Sequence, residues 1–169
     1  AGIAAVVGAV GAAIADEALA HVAGRQLSEI EDHRLLVAGV RLMGRPTLRD
    51  LARSRELLEE AVRRAPYAPE IHAWLGKWYF LIVFNGWSVD VAGETQRGVD
   101  CTARALDMSP DNAFCLAIDG LAHSNLLKRL DIAKQRYDAA LAVNPNEPLS
   151  LLLKGTLHAF RDEGQMAID

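Results

Sequence analysis

Apolar residues along this chain fall into blocks separated by Gly, Pro and Asn, and no block alternates apolar with polar as a half-buried strand would. The blocks predict an apolar helix at about 3–24, a loosening at 25–29 around Gly24 and Ser28, and a helix at about 29–44. Gly44-Arg45-Pro46 breaks that helix, because proline lacks the N–H that a helix interior uses. The next helix starts at Thr47 and ends before Pro66, and others follow at about 69–84, 90–108, beyond Pro110-Asp111, 130–143 and 147–161, with a last one near Gly164. Thr47 and Asp50 have the spacing of a capping box, in which a hydroxyl and a carboxylate satisfy each other's free backbone N–H groups. Asn144-Pro145-Asn146 is a turn.

Within the blocks one pattern returns. Ala61-Val62, Ala105-Leu106 and Ala140-Leu141 are each followed, after three variable residues, by Pro66, Pro110 and Pro145. Gly39, Gly76, Gly120 and Gly155 recur ahead of them, and the last three have a ring three residues on, at Tyr79, His123 and His158. A repeat of roughly 35 residues marks stacked helical hairpins. Such arrays present long binding surfaces.

These positions resemble the tetratricopeptide repeat over about residues 30–169. The third repeat shows it best, with Gly120, His123, Ala133, Tyr137, Ala140 and Pro145. The second has Leu75-Gly76, Tyr79, Gly98, Thr102, Ala105 and Pro110, and the first has Gly39, Leu42, Ser54, Leu58, Ala61 and Pro66. Small residues let two helices approach, larger ones fill the space beside them, and Pro ends the second helix. The resemblance implies an all-α, right-handed superhelix of hairpins with one extra N-terminal helix. Its parts are an apolar helix and linker at 1–28 and repeats at about 29–66, 67–110, 111–145 and 146–169. The Gly-to-Ala separations are 22, 29 and 20, so the second repeat carries roughly ten extra residues, expected around Phe84–Asp90. The fourth repeat has Gly155, His158 and Ala167 and then stops, which leaves Leu151, Leu152, Leu153, Leu157 and Phe160 expected to be partly bare. A piece of a longer protein, or cover by a second copy, is the expectation, since solenoids end in polar caps.

Composition narrows the function classes. The chain has 169 residues, 51% hydrophobic and 24% charged, enough to bury one core. Net charge is -4 and no long basic run occurs, which speaks against nucleic acid. Arg63, Arg64, Arg34 and Arg41 are read as solvated helix faces. The Ala/Gly/Val run of residues 1–15 lacks a basic leader and stops at Asp16-Glu17, short of the roughly 20 residues of a membrane span. It is read as a packed helix, with Gly8 and Gly11 as close-packing sites, that either fills a groove or caps the array. Cys101 and Cys115 have neither a metal nor a disulfide spacing. They are read as small buried residues in a reducing, cytoplasmic compartment.

Candidate chemistry is sparse. His123 and His158 share a repeat position and, with His72, are the only candidate metal ligands, but they replace the packing ring of the repeat. No nucleophile elbow, phosphate loop or cofactor motif is present, so no enzyme activity, metal or cofactor is expected. The groove remains. In this repeat class the first helices line it, which assigns Leu36, Val40 and Met43, then Ala73, Lys77 and Phe80, then Ala117, Leu121 and Ser124 beside Asn125, then Leu152, Thr156 and Ala159 beside Phe160. Only Lys77 suits a carboxylate clamp. An apolar groove suits an amphipathic helix or an extended apolar peptide. Trp87, in the Asn85-Gly86-Trp87-Ser88 loop, is a second candidate contact or tucks back on the helices. The order of an apolar helix, a Leu-rich hairpin, the Gly86-Trp87-Ser88 turn and the Asp138–Asn146 segment also resembles the C-terminal repeat region of bacterial class III adenylate cyclase-like proteins and of winged-helix regulators. That implies a signalling module that binds a protein or peptide, or itself, below an effector domain.

Overall fold

The computed structural model describes residues 2–45 and 47–160. Among them the helices are α1 (Gly2–Val22), α2 (Asp32–Met43), α3 (Leu48–Arg64), α4 (Pro69–Phe84), α5 (Val91–Met108), α6 (Ala113–Asn125), α7 (Leu130–Val143) and α8 (Pro148–Phe160). A single 3-10 turn, Leu27–Glu29, precedes α2. The expected helix near Gly164 lies outside the described residues. The chain divides into two compact units, Ala1–Pro66 and Tyr67–Asp169.

In the first unit α2 pairs with α3, and α1 lies along α2. Leu35, Leu57 and Leu58 are fully buried, each contributing about 1.5–3 kcal/mol. Gly39 lets α3 approach: a Cβ there would stand 3.0 Å from Leu58 Cγ, and its carbonyl accepts the Ser54 hydroxyl at 2.7 Å. From α1, Ala18 and Val22 are buried, whereas Gly11 is exposed with no atom within 4 Å of an added Cβ. Gly11 is therefore not a close-packing site among the described residues, and the surroundings of Gly8 lie outside them. The capping box forms by halves. Thr47 Oγ1 accepts the Asp50 N–H at 3.0 Å, but the Asp50 carboxylate takes the Thr47 hydroxyl at 2.8 Å instead of its N–H.

Arg64 is no solvated face. It is half-buried and donates to the carbonyls of Leu27 at 2.6 Å and Ile30 at 2.7 Å, and to Asp32 at 2.8 Å. A planar guanidinium can hold several acceptors at once, so this arginine ties the 3-10 turn to α3.

In the second unit α4 pairs with α5 and α6 with α7, while the first helices α4, α6 and α8 stack in sequence. The small repeat residues make the contacts. Gly76 sits against Gly98 and Thr102, and Gly120 against Tyr137 and Arg136. The extra length of the second repeat is mostly helix, not loop. α4 runs eight residues past Gly76, where α6 runs five past Gly120. α5 begins seven residues ahead of Gly98, where α7 begins three ahead of Ala133. Both helices continue because Leu81, Ile82 and Val83 extend the apolar block and Asp90 caps α5, accepting the Gly93 N–H at 3.0 Å.

Cys115 is fully buried beside Ala73, Ala105 and Ile118, and burial pushes its thiol up to about 12. Asp119 is the unexpected core residue. It is 3% exposed, accepts Thr102 Oγ1 and Arg136 Nε at 2.7 Å each, and so joins α5, α6 and α7. His123 Nε2 lies 3.5 Å from the same carboxylate. Burial holds the imidazole pKa below its ordinary value, the nearby Asp119 charge opposing.

Candidate functional site

A concave pocket of 580 Å³ opens in the second unit between α4, α6, α7 and α8. Its wall is built by the stacking of the first helices. Lys77, Phe80 and Phe84 come from one face of α4, Leu121, Ser124 and Asn125 from α6, and Leu149, Leu153, Thr156 and Leu157 from α8. These spacings of three and four place each set on one helix stripe.

The second helix α7 closes the floor with Leu130 and Tyr137. Tyr137 is 1% exposed, its hydroxyl is 3.2 Å from Ser124 Oγ, and burial pushes it up to about 12. Asn125 donates to Ser124 Oγ at 2.7 Å, which aims a short polar seam into an otherwise apolar wall.

Among the described residues, two lysines and no carboxylate line the pocket. Lys77 Nζ stands 4.9 Å over the Trp74 ring. Burial lowers its pKa, and the charge of Glu147, whose carboxylate caps α8 by accepting the Ser150 N–H, works the other way. Lys128, three residues past the end of α6, is in the left-handed region at φ 56°. The Arg129 N–H bonds back to the His123 carbonyl at 2.8 Å, closing a seven-residue turn after α6.

Of the groove residues singled out in the sequence, Lys77, Phe80, Leu121, Ser124, Asn125 and Thr156 meet in this pocket. Leu36 and Val40 are half-buried on α2, in the other unit. Ala73 and Ala117 are wholly buried, Ala73 in the core with Ala105, Cys115 and Ile118. Trp87 stays 41% exposed on the α4–α5 turn, outside the pocket. The side chains of His158, Ala159 and Phe160 lie outside the described residues, so the expected pairing of His123 with His158 does too. Sequence reasoning missed Phe84, Lys128, Leu130 and Tyr137. The rule that first helices alone line the groove hid the α7 residues, and nothing in the sequence marked Lys128. Leu151 and Leu152 remain 52% and 67% exposed, as the fourth repeat suggested, whereas Leu157 is buried against Tyr137 and Ala133.

Among the described residues, no group of three His, Cys, Asp or Glu is placed to hold a metal ion. No helix among them is long and apolar enough to cross a membrane.

Solved structures of MamA are similar to this chain in fold. A crystal structure of MamA aligns with a TM-score of 0.57 at 19% identity, over 82% of this chain and 72% of that one. MamA MSR-1 aligns with a TM-score of 0.55 at 21% identity, over 90% and 87%. A MamA RS-1 double mutant aligns with a TM-score of 0.58 at 14% identity, over 95% and 88%. At these identities the likeness is one of fold, and it agrees with the helical hairpins and Gly-to-small contacts in assigning an all-α architecture of tetratricopeptide type. No family model matches the chain, and no curated protein does.

Proposed function

We propose that this chain is a non-catalytic protein-interaction module whose second unit takes an amphipathic helix or extended apolar peptide of a partner protein. The observation that carries the reading is the 580 Å³ pocket, walled by Phe80, Phe84, Leu121, Leu149 and Leu153 and rimmed by Lys77 and Lys128. Aromatic and aliphatic walls reward burial of a side chain, and a few polar groups orient the backbone that carries it. The test is calorimetry with a designed Leu-faced helical peptide. Thr156→Arg, on an exposed site at the pocket wall, should abolish the heat while leaving the melting profile intact. Equal binding by the variant would refute the groove.

A second reading is self-association through α8, favoured by the exposure of Leu151 and Leu152. Light scattering across a concentration series separates the two. A mass that rises and is reset by Leu152→Glu supports it; a constant monomer mass rejects it. The resemblance to repeat regions of class III cyclase-like proteins and winged-helix regulators would place the module beneath an effector domain, and the MamA neighbours add no support to that placement.

A further inference from the structure

The first unit holds a larger cleft that the groove reading leaves unused. It measures 1230 Å³ and lies between the C-terminal half of α1 and the α2–α3 turn. Arg25, Arg41, Arg45, Arg49 and Arg53 line it, against Asp16, Asp50 and Glu56.

Two of the three acids are paired with arginines, and the third is bound by a neutral hydroxyl, which leaves an excess of two positive charges in the cleft. Asp16 takes Arg41 at 3.1 Å, Glu56 takes Arg53 at 2.7 Å, and the Asp50 carboxylate holds the Thr47 hydroxyl at 2.8 Å. The guanidinium groups of Arg25, Arg45 and Arg49 have no acceptor among the described residues. A chain with net charge -4 thus concentrates unanswered positive charge in one concavity.

The remaining lining says what would fill it. Leu19, Ala20, Ala23 and Ala52 supply apolar surface between the arginines. A small anion would satisfy the charge and leave that surface wet. Among the described residues no aromatic ring lines the cleft, so bases of a nucleic acid find no stacking platform there. Carboxylates spaced by short aliphatic side chains answer both features, since each guanidinium can take a carboxylate through two parallel bonds. We infer that this cleft binds an acidic peptide segment of a partner protein, with Arg45 and Arg49 as its principal contacts.

The experiment is fluorescence anisotropy on the whole chain with a short labelled peptide of Glu and Leu. The same peptide with Gln for Glu, inorganic phosphate and a single-stranded oligonucleotide serve as the contrasting probes. Binding of the Glu peptide alone is expected, weakened at least about tenfold by Arg45→Gln with Arg49→Gln, and weakened again by salt, because exposed charges are screened over about 10 Å at 0.1 M. Both arginines are exposed, so the double variant should keep its melting profile. If it unfolds, loss of binding on adding salt to the unaltered chain keeps the test open. Thr156→Arg, in the other unit, should leave this binding unchanged, which separates failure here from failure of the groove. Four results would overturn the inference. They are undiminished binding by the double variant, displacement of the peptide by phosphate at equal charge, tighter binding of the oligonucleotide, or an arginine-dependent dimer that makes a second copy the occupant.

Discussion

Gly120 and Gly155 occupy the same position in successive repeats, yet alanine should act on them with opposite signs. A Cβ on Gly120 would stand 2.8 Å from Tyr137 Cδ1 and 3.1 Å from Arg136 Cβ, and would press harder still on Tyr137 Cε1. The ring cannot swing clear, because Tyr137 is 1% exposed and its hydroxyl is held near Ser124. Overpacking of this kind costs about 1–3 kcal/mol. The gain in helix propensity returns about 1 kcal/mol. Gly120→Ala should therefore lose about 1 kcal/mol net, and a unit of this size then melts about 4–8 °C lower. Gly155 has no described atom within 4 Å of an added Cβ, so Gly155→Ala keeps only the propensity gain, about 1 kcal/mol. Urea titration followed by circular dichroism at constant slope measures both. A neutral or stabilising Gly120→Ala would refute the close-packing account of the repeat. A destabilising Gly155→Ala would mean that the α8 face is covered after all.

Other predictions follow from single groups. Lys128→Gly should stabilise the fold by about 1 kcal/mol, because a left-handed residue strains every side chain but glycine's. The same change should weaken peptide binding in the groove, so calorimetry and melting must move in opposite directions. Asp119→Ala should cost about 2–3 kcal/mol in urea unfolding, since it strands Thr102 and Arg136 together; a cost near zero would show that the cluster is not cohesive. Hydrogen bonds from Arg63, then Arg64, hold Glu60 down to about 2 from an ordinary 4.5. A carboxyl depressed on folding adds stability that is complete above its unfolded pKa and lost as pH falls through the folded one. Acid unfolding between about pH 4.5 and 2 should thus lose this contribution, and Glu60→Gln should flatten that part of the pH profile. Cys115 should resist thiol reagents until urea opens the second unit, because its protonated form is favoured up to about 12.

How far the sequence reached can be judged from particular elements. α4 at Pro69–Phe84 and α7 at Leu130–Val143 match their expected limits, because proline, asparagine and helix-period apolar blocks act within a turn or two of the chain. Six groove residues were legible for a related reason: in a stacked array, repeat position decides which face a side chain occupies. Arg25, Arg45 and Arg49 were not. They look like ordinary solvated arginines one by one, and only the approach of α1 to the α2–α3 turn sets them around one cleft. Arg64, expected to be a solvated face, failed the same way, since a charged residue's burial depends on which distant acceptors surround it. The linear pattern determined the helices, their pairing and the glycines at their crossings, all consequences of local periodicity and residue size. Tertiary structure alone decided which polar groups are sealed and which face an open concavity, because those outcomes depend on partners far apart in the chain.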